Sequence, residues 1–221
     1  MEQKDMQWRS VVSVPALALL MAVEVGAQGA APAAYQPCAA CHGADAQGNP
    51  AMKAPALAGQ EVAYLERQLG YFKSGIRGTD PRDSAGAQMK PMAIALSEQE
   101  VAALAAWLAE SPVMAQVPSP DADLMNGNNY YQSKCGACHG GKAEGNSGLN
   151  APALYMLDES YLKRQLGNFQ QGIRGSHPDD RPGRQMKMMS TALPTEKDVE
   201  DVIAFIHAQG AAGESSGEAA E

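Results

Sequence analysis

Histidine and cysteine are both scarce in this chain of 221 residues, which holds four of each. His42 is the only histidine before residue 139, so no pair of imidazoles can form within the first half. There is no excess of basic charge: 17 Lys and Arg stand against 25 Asp and Glu, a formal net charge of −8. With no basic stripe, nucleic acid is excluded as a partner. An acidic surface of this density serves solubility and steers basic partners. Long apolar runs are missing apart from Val11 to Val23, which is too short for a comfortable membrane span. No segment alternates apolar and polar residues well enough for a sheet, so the expected class is all-α.

The few cysteines are placed with economy. All four fall in two pentads, Cys38-Ala-Ala-Cys41-His42 and Cys135-Gly-Ala-Cys138-His139. C-x-x-C-H is the attachment site of c-type haem, whose porphyrin bonds to both sulfurs while the adjacent histidine reaches the iron. Two pentads with no cysteine left over imply two covalently attached haem c groups. A disulfide framework does not require a histidine after each pair. A zinc site of two cysteines and a histidine per copy suits an exported protein less well than haem does.

The pentads sit in a repeat of offset 97. The same offset carries Ala54-Pro55-Ala56-Leu57 onto Ala151-Pro152-Ala153-Leu154, and Arg67-Gln68-Leu69-Gly70 onto Arg164-Gln165-Leu166-Gly167. It relates Gly75-Ile76-Arg77-Gly78 to Gly172-Ile173-Arg174-Gly175, and Gln88-Met89-Lys90 to Gln185-Met186-Lys187. One residue is then added, because Val101 pairs with Val199. Each copy is long enough for a small domain. The expected division is a signal peptide over 1–27, a first domain over 28–111, a Pro-containing linker over 112–120, a second domain over 121–209 and a disordered acidic tail over 210–221. A domain of this size buries a modest share of its surface, so the haem supplies the missing apolar core. Small residues at Val25-Gly26-Ala27 mark the expected cleavage site, despite Glu2 and Asp5 ahead of the apolar core. If the segment were retained it would be a membrane anchor, leaving the protein peripherally associated with the membrane. Either way the haem domains lie outside the cytoplasm, in the periplasm.

Helical periodicity recurs in both copies. Leu65, Leu69 and Phe72 share one face, as do Leu162, Leu166 and Phe169. Gly75 and Gly172 are stop signals. A long loop is expected from there to the methionines. The last helix of each domain begins at a capping box, Ser97 with Glu100 and Thr195 with Asp198. A further helix is expected from Asp123 to Lys134. Its counterpart in the first copy is limited by Pro32 and Pro37.

The iron's other face needs a ligand, and a methionine there suits electron transfer. Two methionine positions recur in both copies, Met89 with Met186 and Met92 with Met189, and the repeat does not choose between them. The layout resembles class I cytochrome c, and the tandem arrangement is similar to the dihaem cytochrome c4 family. The similarity runs from about Cys38 to Leu108 and from about Tyr130 to Ile206. It includes the pentads, Pro55-Ala56-Leu57-Ala58-Gly59-Gln60, Tyr64-Leu65 before Arg67-Gln68-Leu69, and the methionine segment leading into Leu96-Ser97. Tyr155-Met156-Leu157 departs from the family pattern. The resemblance implies two class I domains, each wrapped around one haem. It places the ligand methionine seven residues before the leucine that opens the last helix, which gives Met89 and Met186. It also implies that the carbonyls of Pro55 and Pro152 hold the second ring nitrogen of His42 and His139. His177 reads as a loop residue. His207 reads as a cation in the last turn of the final helix, favoured by the dipole. Arg77 and Arg174 read as propionate partners or as solvated loop residues.

These readings point to a periplasmic electron carrier rather than an enzyme. It would pass single electrons from a quinol-oxidising complex or a dehydrogenase to a terminal oxidase or similar acceptor. The alternative is an electron-transfer subunit bound to a dehydrogenase, as in flavocytochrome c. A dihaem peroxidase would need an open iron position, which a methionine at each haem denies.

Overall fold

A computed structural model describes residues 29–215; the expected signal peptide over 1–27 lies outside them. Among the described residues the chain is helical, and its only bridges are isolated ones, Asn49 to Ala54 and Asn146 to Ala151. The first domain has four helices: α1 (Gln36–His42), α2 (Val62–Ser74), α3 (Ser84–Ile94) and α4 (Glu98–Ala109). The second has five: α5 (Leu124–Lys134), α6 (Gly136–His139), α7 (Glu159–Gln170), α8 (Arg181–Met189) and α9 (Glu196–Ser215). No single helix among them is long and apolar enough to cross a membrane.

Local chemistry sets the helix boundaries. In α4 the Ser97 hydroxyl accepts from Glu100 N while the Glu100 carboxylate accepts from Ser97 N. At α9, Thr195 and Asp198 make the same reciprocal pair at 3.1 Å each way. The chain leaves α2 at Gly75, whose φ of 79° suits the left-handed C-cap. These ends lie where the sequence sets them.

The segment before each methionine is not a long loop. Helices α3 and α8 begin well ahead of the methionines because Asp83 and Asp180 cap them, each accepting from the backbone N–H three residues on, at 2.9 and 2.8 Å. Pro91 lies in the second half of α3 and gives up only its own bond back to Ala87 O.

Each domain has its own core. Leu65 of α2 meets Leu104, Ala105 and Leu108 of α4, with Tyr35 beneath them. In the second domain Tyr131 of α5 meets Val202, Phe205 and Ile206 of α9. The two tyrosines do one job from positions one residue out of repeat register: Tyr35 Oη donates to Gly43 O and Tyr131 Oη to Gly140 O, both at 2.7 Å. Helices α5 and α9 cross so closely that a Cβ on Gly127 would run into Asp201 O. Asp201 is itself buried and accepts from Asp123 N, Asn126 Nδ2 and Lys197 Nζ, clipping the crossing together.

Helix α9 corrects two sequence expectations. It runs on to Ser215, past Gly210 where the polar tail was expected to begin. Ala211 and Ala212 follow that glycine, and the Tyr155 ring packs against it. His207 is therefore not in a last turn. It is 3 % exposed, and Nε2–H donates to Leu157 O at 2.9 Å. Burial pushes its pKa down, outweighing that bond and the nearby Glu159 and Asp158 carboxylates. His207 is a neutral core group.

Gly127→Ala is expected to destabilise the second domain by about 1–3 kcal/mol through overpacking, read by chemical denaturation. Gly70→Ala, where an added Cβ meets nothing within 4 Å, is expected to gain about 0.5–1 kcal/mol in α2. His207 has a folded pKa below its unfolded value of about 6.5, so its contribution is complete above that pH and is lost as the pH falls below it. The melting temperature of the protein should therefore fall on acidification below pH ~6.5, and His207→Gln should flatten that slope.

Candidate haem sites

Each pentad lies on a short helix that turns its histidine inward. Cys38, Cys41 and His42 sit on α1, and Cys135 precedes α6, which carries Cys138 and His139. The histidines are 4 % and 5 % exposed. His42 Nδ1 lies 2.8 Å from Pro55 O, and His139 Nδ1 lies 2.9 Å from Pro152 O. With Nδ1–H donated to a carbonyl, Nε2 keeps its lone pair and the ring its orientation. Burial pushes both imidazoles below their ordinary pKa, more than the prolyl bonds raise them. Both rings are thus held neutral, the state that binds a metal.

None of the four cysteines is in a disulfide, so both pairs are available for haem attachment. Burial raises the Cys38 thiol, and raises Cys135 to about 11. Neither is a ready thiolate ligand. Among the described residues no three His, Cys, Asp or Glu side chains group closely enough to hold a metal ion.

Opposite each histidine stand methionines. Met89 and Met92 line the pocket over His42, and Met186, Met188 and Met189 line the one over His139. Met186 Sδ comes to 3.5 Å from His139 Nε2. Met92, Met188 and Met189 are exposed. The height of the methionine helices is fixed by the Gly-Ile-Arg-Gly loops. Gly78 and Gly175 have φ of 78° and 76° and lie so close to Gly86 O and Gly183 O that no Cβ fits between. Leu65, Leu69 and Phe72 form the wall of the first pocket, and Leu162, Leu166 and Phe169 that of the second.

The two pockets share a wall, where the domains meet. Arg77 donates to Gln68 Oε1 (2.7 Å) in its own domain, and to Gln165 Oε1 (3.1 Å) and Tyr161 Oη (3.3 Å) in the other. Arg174 mirrors it, donating to Gln165 Oε1 (2.9 Å), Gln68 Oε1 (2.8 Å) and Tyr64 Oη (3.5 Å). Neither arginine is a solvated loop residue. Each guanidinium lies 4.7 Å from the phenylalanine ring of its own domain, Phe72 or Phe169. Burial would raise the Tyr161 hydroxyl, but Arg77 and Arg174 beside it bring its pKa below the usual value. One feature breaks the symmetry: Gln60 pairs with both backbone groups of Ala153, at 3.0 and 3.1 Å, whereas its repeat partner is Leu157. Leu157 packs with Ala56, Met156 and Tyr161 in the interdomain core. Sequence reasoning missed Gln68, Gln165, Tyr64 and Tyr161 as a joint. Their recurrence one helical turn from the apolar stripe was the available signal.

These pockets fit a porphyrin. Each is lined by an imidazole, methionine thioethers, a cysteine pair, apolar walls and arginines at the joint. Among the described residues none of Arg67, Arg77, Arg164 and Arg174 pairs with a carboxylate. The buried Nε of Arg67, Arg77 and Arg164 has no partner at all. Haem carries two carboxylates of its own to such a place.

The sequence profile of cytochrome c matches residues 27–112 and again 124–209. The chain belongs to the cytochrome c family. Its tandem organisation is that of the dihaem cytochromes c4, and two haem c groups are bound covalently through Cys38 and Cys41 and through Cys135 and Cys138. A relative from Stutzerimonas stutzeri, named a thiosulfate dehydrogenase electron acceptor, is 32% identical over 85% of this chain and 90% of its own length. Cytochrome c4 of Thiocapsa roseopersicina is 33% identical over 64% of this chain and 73% of its own. The crystal structure of reduced cytochrome c4 from Pseudomonas stutzeri superposes with a TM-score of 0.62 at 29% identity, covering 80% of this chain and 94% of that one. The chain is a dihaem cytochrome c that carries electrons.

Gln165→Ala removes an acceptor from two buried guanidiniums at once. Docking of the domains is expected to weaken by about 1.5–3 kcal/mol. Calorimetry should then resolve two thermal transitions where the parent gives one.

Proposed function

We propose that His42 with Met89 and His139 with Met186 are the axial pairs, and that the protein is a periplasmic relay for single electrons. The observation that supports this most is the approach of Met186 Sδ to His139 Nε2, across the pocket from an imidazole oriented by Pro152. Met89 stands at the equivalent repeat position. A haem held by these residues would supply one-electron chemistry at a raised reduction potential. The protein's residues do the rest. Burial holds the imidazoles neutral and the prolyl carbonyls hold their orientation, the methionine helices close the opposite face, and the apolar walls exclude water. A peroxidase reading would require one of those faces to stand open.

Export to the periplasm rests on the Val11–Ala27 segment and on the relatives' kind. For partners, the exposed apolar side chains at the pocket mouths, Met52 and Met92 in the first domain and Leu149, Met188 and Met189 in the second, suit a transient, weakly polar docking face. The donor is a dehydrogenase or a quinol-oxidising complex, and the acceptor a terminal oxidase or similar protein. A dehydrogenase donor, whether a free partner or a bound one, is favoured by the S. stutzeri relative, which is named as such an acceptor.

Met186→Ala is expected to turn one of the two haems high-spin and lower its potential, whereas Met189→Ala leaves both low-spin, as read by optical and resonance Raman spectra. Met89→Ala and Met92→Ala should divide in the same way for the other haem. A low-spin Met186→Ala protein beside a high-spin Met189→Ala protein would reverse the assignment.

A further inference from the structure

Four arginines stand at the joint, in two pairs related by the repeat: Arg67 with Arg164 and Arg77 with Arg174. Arg77 and Arg174 line the pockets of their own domains. Arg67 and Arg164 do the reverse. Arg164, on α7 of the second domain, lines the first domain's pocket, and Arg67, on α2, lines the second's.

The crossing is anchored at both ends. At its base each arm leans on a tyrosine of its own helix, with the guanidinium carbon 5.4 Å from the Tyr64 ring for Arg67 and 5.3 Å from the Tyr161 ring for Arg164. At its tip it is held by the other domain. Arg67 donates to Asn150 Oδ1 and to Asn150 O, both at 2.8 Å. Arg164 donates to Lys53 O at 2.9 Å. Lys53 and Asn150 are repeat partners and both adopt left-handed φ, of 56° and 57°, at the ends of short turns beside the pockets. With the tips so occupied, the Nε–H of each arm is buried without an acceptor. A buried guanidinium donor left without an anion is costly, and the anion available in each pocket is a haem carboxylate.

We propose that each haem has its carboxylates neutralised in part by an arginine from the other domain: Arg164 serves the haem of the first domain and Arg67 that of the second. This rests on each pocket holding a haem, not on the methionine assignment. A fixed positive charge beside a haem disfavours the more positive oxidised iron and raises the potential. Because the arms cross, each domain sets the potential of its neighbour's haem, and domain docking is itself a determinant of both.

The test is a redox titration of the full-length dihaem protein followed by NMR, in which the assigned methyl signals report each haem separately. Arg164→Gln is expected to lower the midpoint potential of the first-domain haem and to move the second-domain haem less. Arg67→Gln should do the opposite. Arg164→Lys, which keeps the charge, should restore most of the first-domain value. Asn150→Ala, which removes an anchor but no charge, should leave the order of the two potentials unchanged. The proposal is overturned if Arg164→Gln shifts mainly the second-domain haem, or moves neither while both remain low-spin. It is also overturned if Arg164→Lys fails to rescue the potential, since the effect would then be loosening of the joint. An error in axial ligation would appear instead as a high-spin haem in the unsubstituted protein.

Discussion

The hydrogen bond from a histidine ring to a prolyl carbonyl is the contact on which each domain turns. At 2.8 and 2.9 Å, His42 Nδ1 to Pro55 O and His139 Nδ1 to Pro152 O fix ring orientation and tautomer together. Burial alone would leave the ring free to rotate and either nitrogen free to carry the proton. The carbonyl removes both freedoms. A short loop delivers it, pinned by the backbone bridges Asn49 to Ala54 and Asn146 to Ala151. The remaining elements are arranged around the nitrogen left facing the pocket: apolar helices α2 and α7 at the side, methionine helices α3 and α8 opposite. The small protein cores leave a large apolar slot, and covalent attachment through the pentads keeps it filled.

The second organising fact is a concentration of uncompensated positive charge in a protein of net charge −8. Two arginines from each domain meet at the joint, and their partners there are glutamines, tyrosines and carbonyls rather than carboxylates. Neutral hydrogen bonds orient a guanidinium but do not cancel its charge, and in a buried setting the residual field is strong. The joint is therefore both the adhesive between domains and an electrostatic feature shared by two redox centres. The pseudo-twofold exchange of Arg77 and Arg174 around Gln68 and Gln165 makes the two halves interdependent. The Gln60 to Leu157 difference gives the halves unequal surroundings.

Much of this was legible in the sequence, because the informative signals are local. The pentads and the capping pairs Ser97 with Glu100 and Thr195 with Asp198 act within a few residues of where they are read, the offset of 97 shows as plain self-similarity, and the prolines thirteen residues after each histidine came with the family resemblance. What was not legible depends on packing. Helices α3 and α8 read as loop in the sequence because the caps that start them, Asp83 and Asp180, are followed by no clear apolar stripe. His207 looked like a helix-end cation because Gly210 looked like a stop, until Tyr155 was seen to occupy the space beside it. Periodicity marks Leu65 and Leu162 as buried, but gives no hint that Gln68 and Gln165, on the adjacent stripe, meet across a domain boundary. The destination of Arg67 and Arg164 lies in the other domain and has no local signature.

The central claim is that two irons are each held between an imidazole and a thioether. Near-infrared magnetic circular dichroism of the oxidised protein, scaled to a pyridine-haemochrome count of haem, tests it most directly, since thioether ligation of ferric haem gives its own charge-transfer band. The expected result is two covalent haems per chain, both methionine-ligated. A single haem, or a second iron with water or nitrogen in place of the thioether, would contradict it.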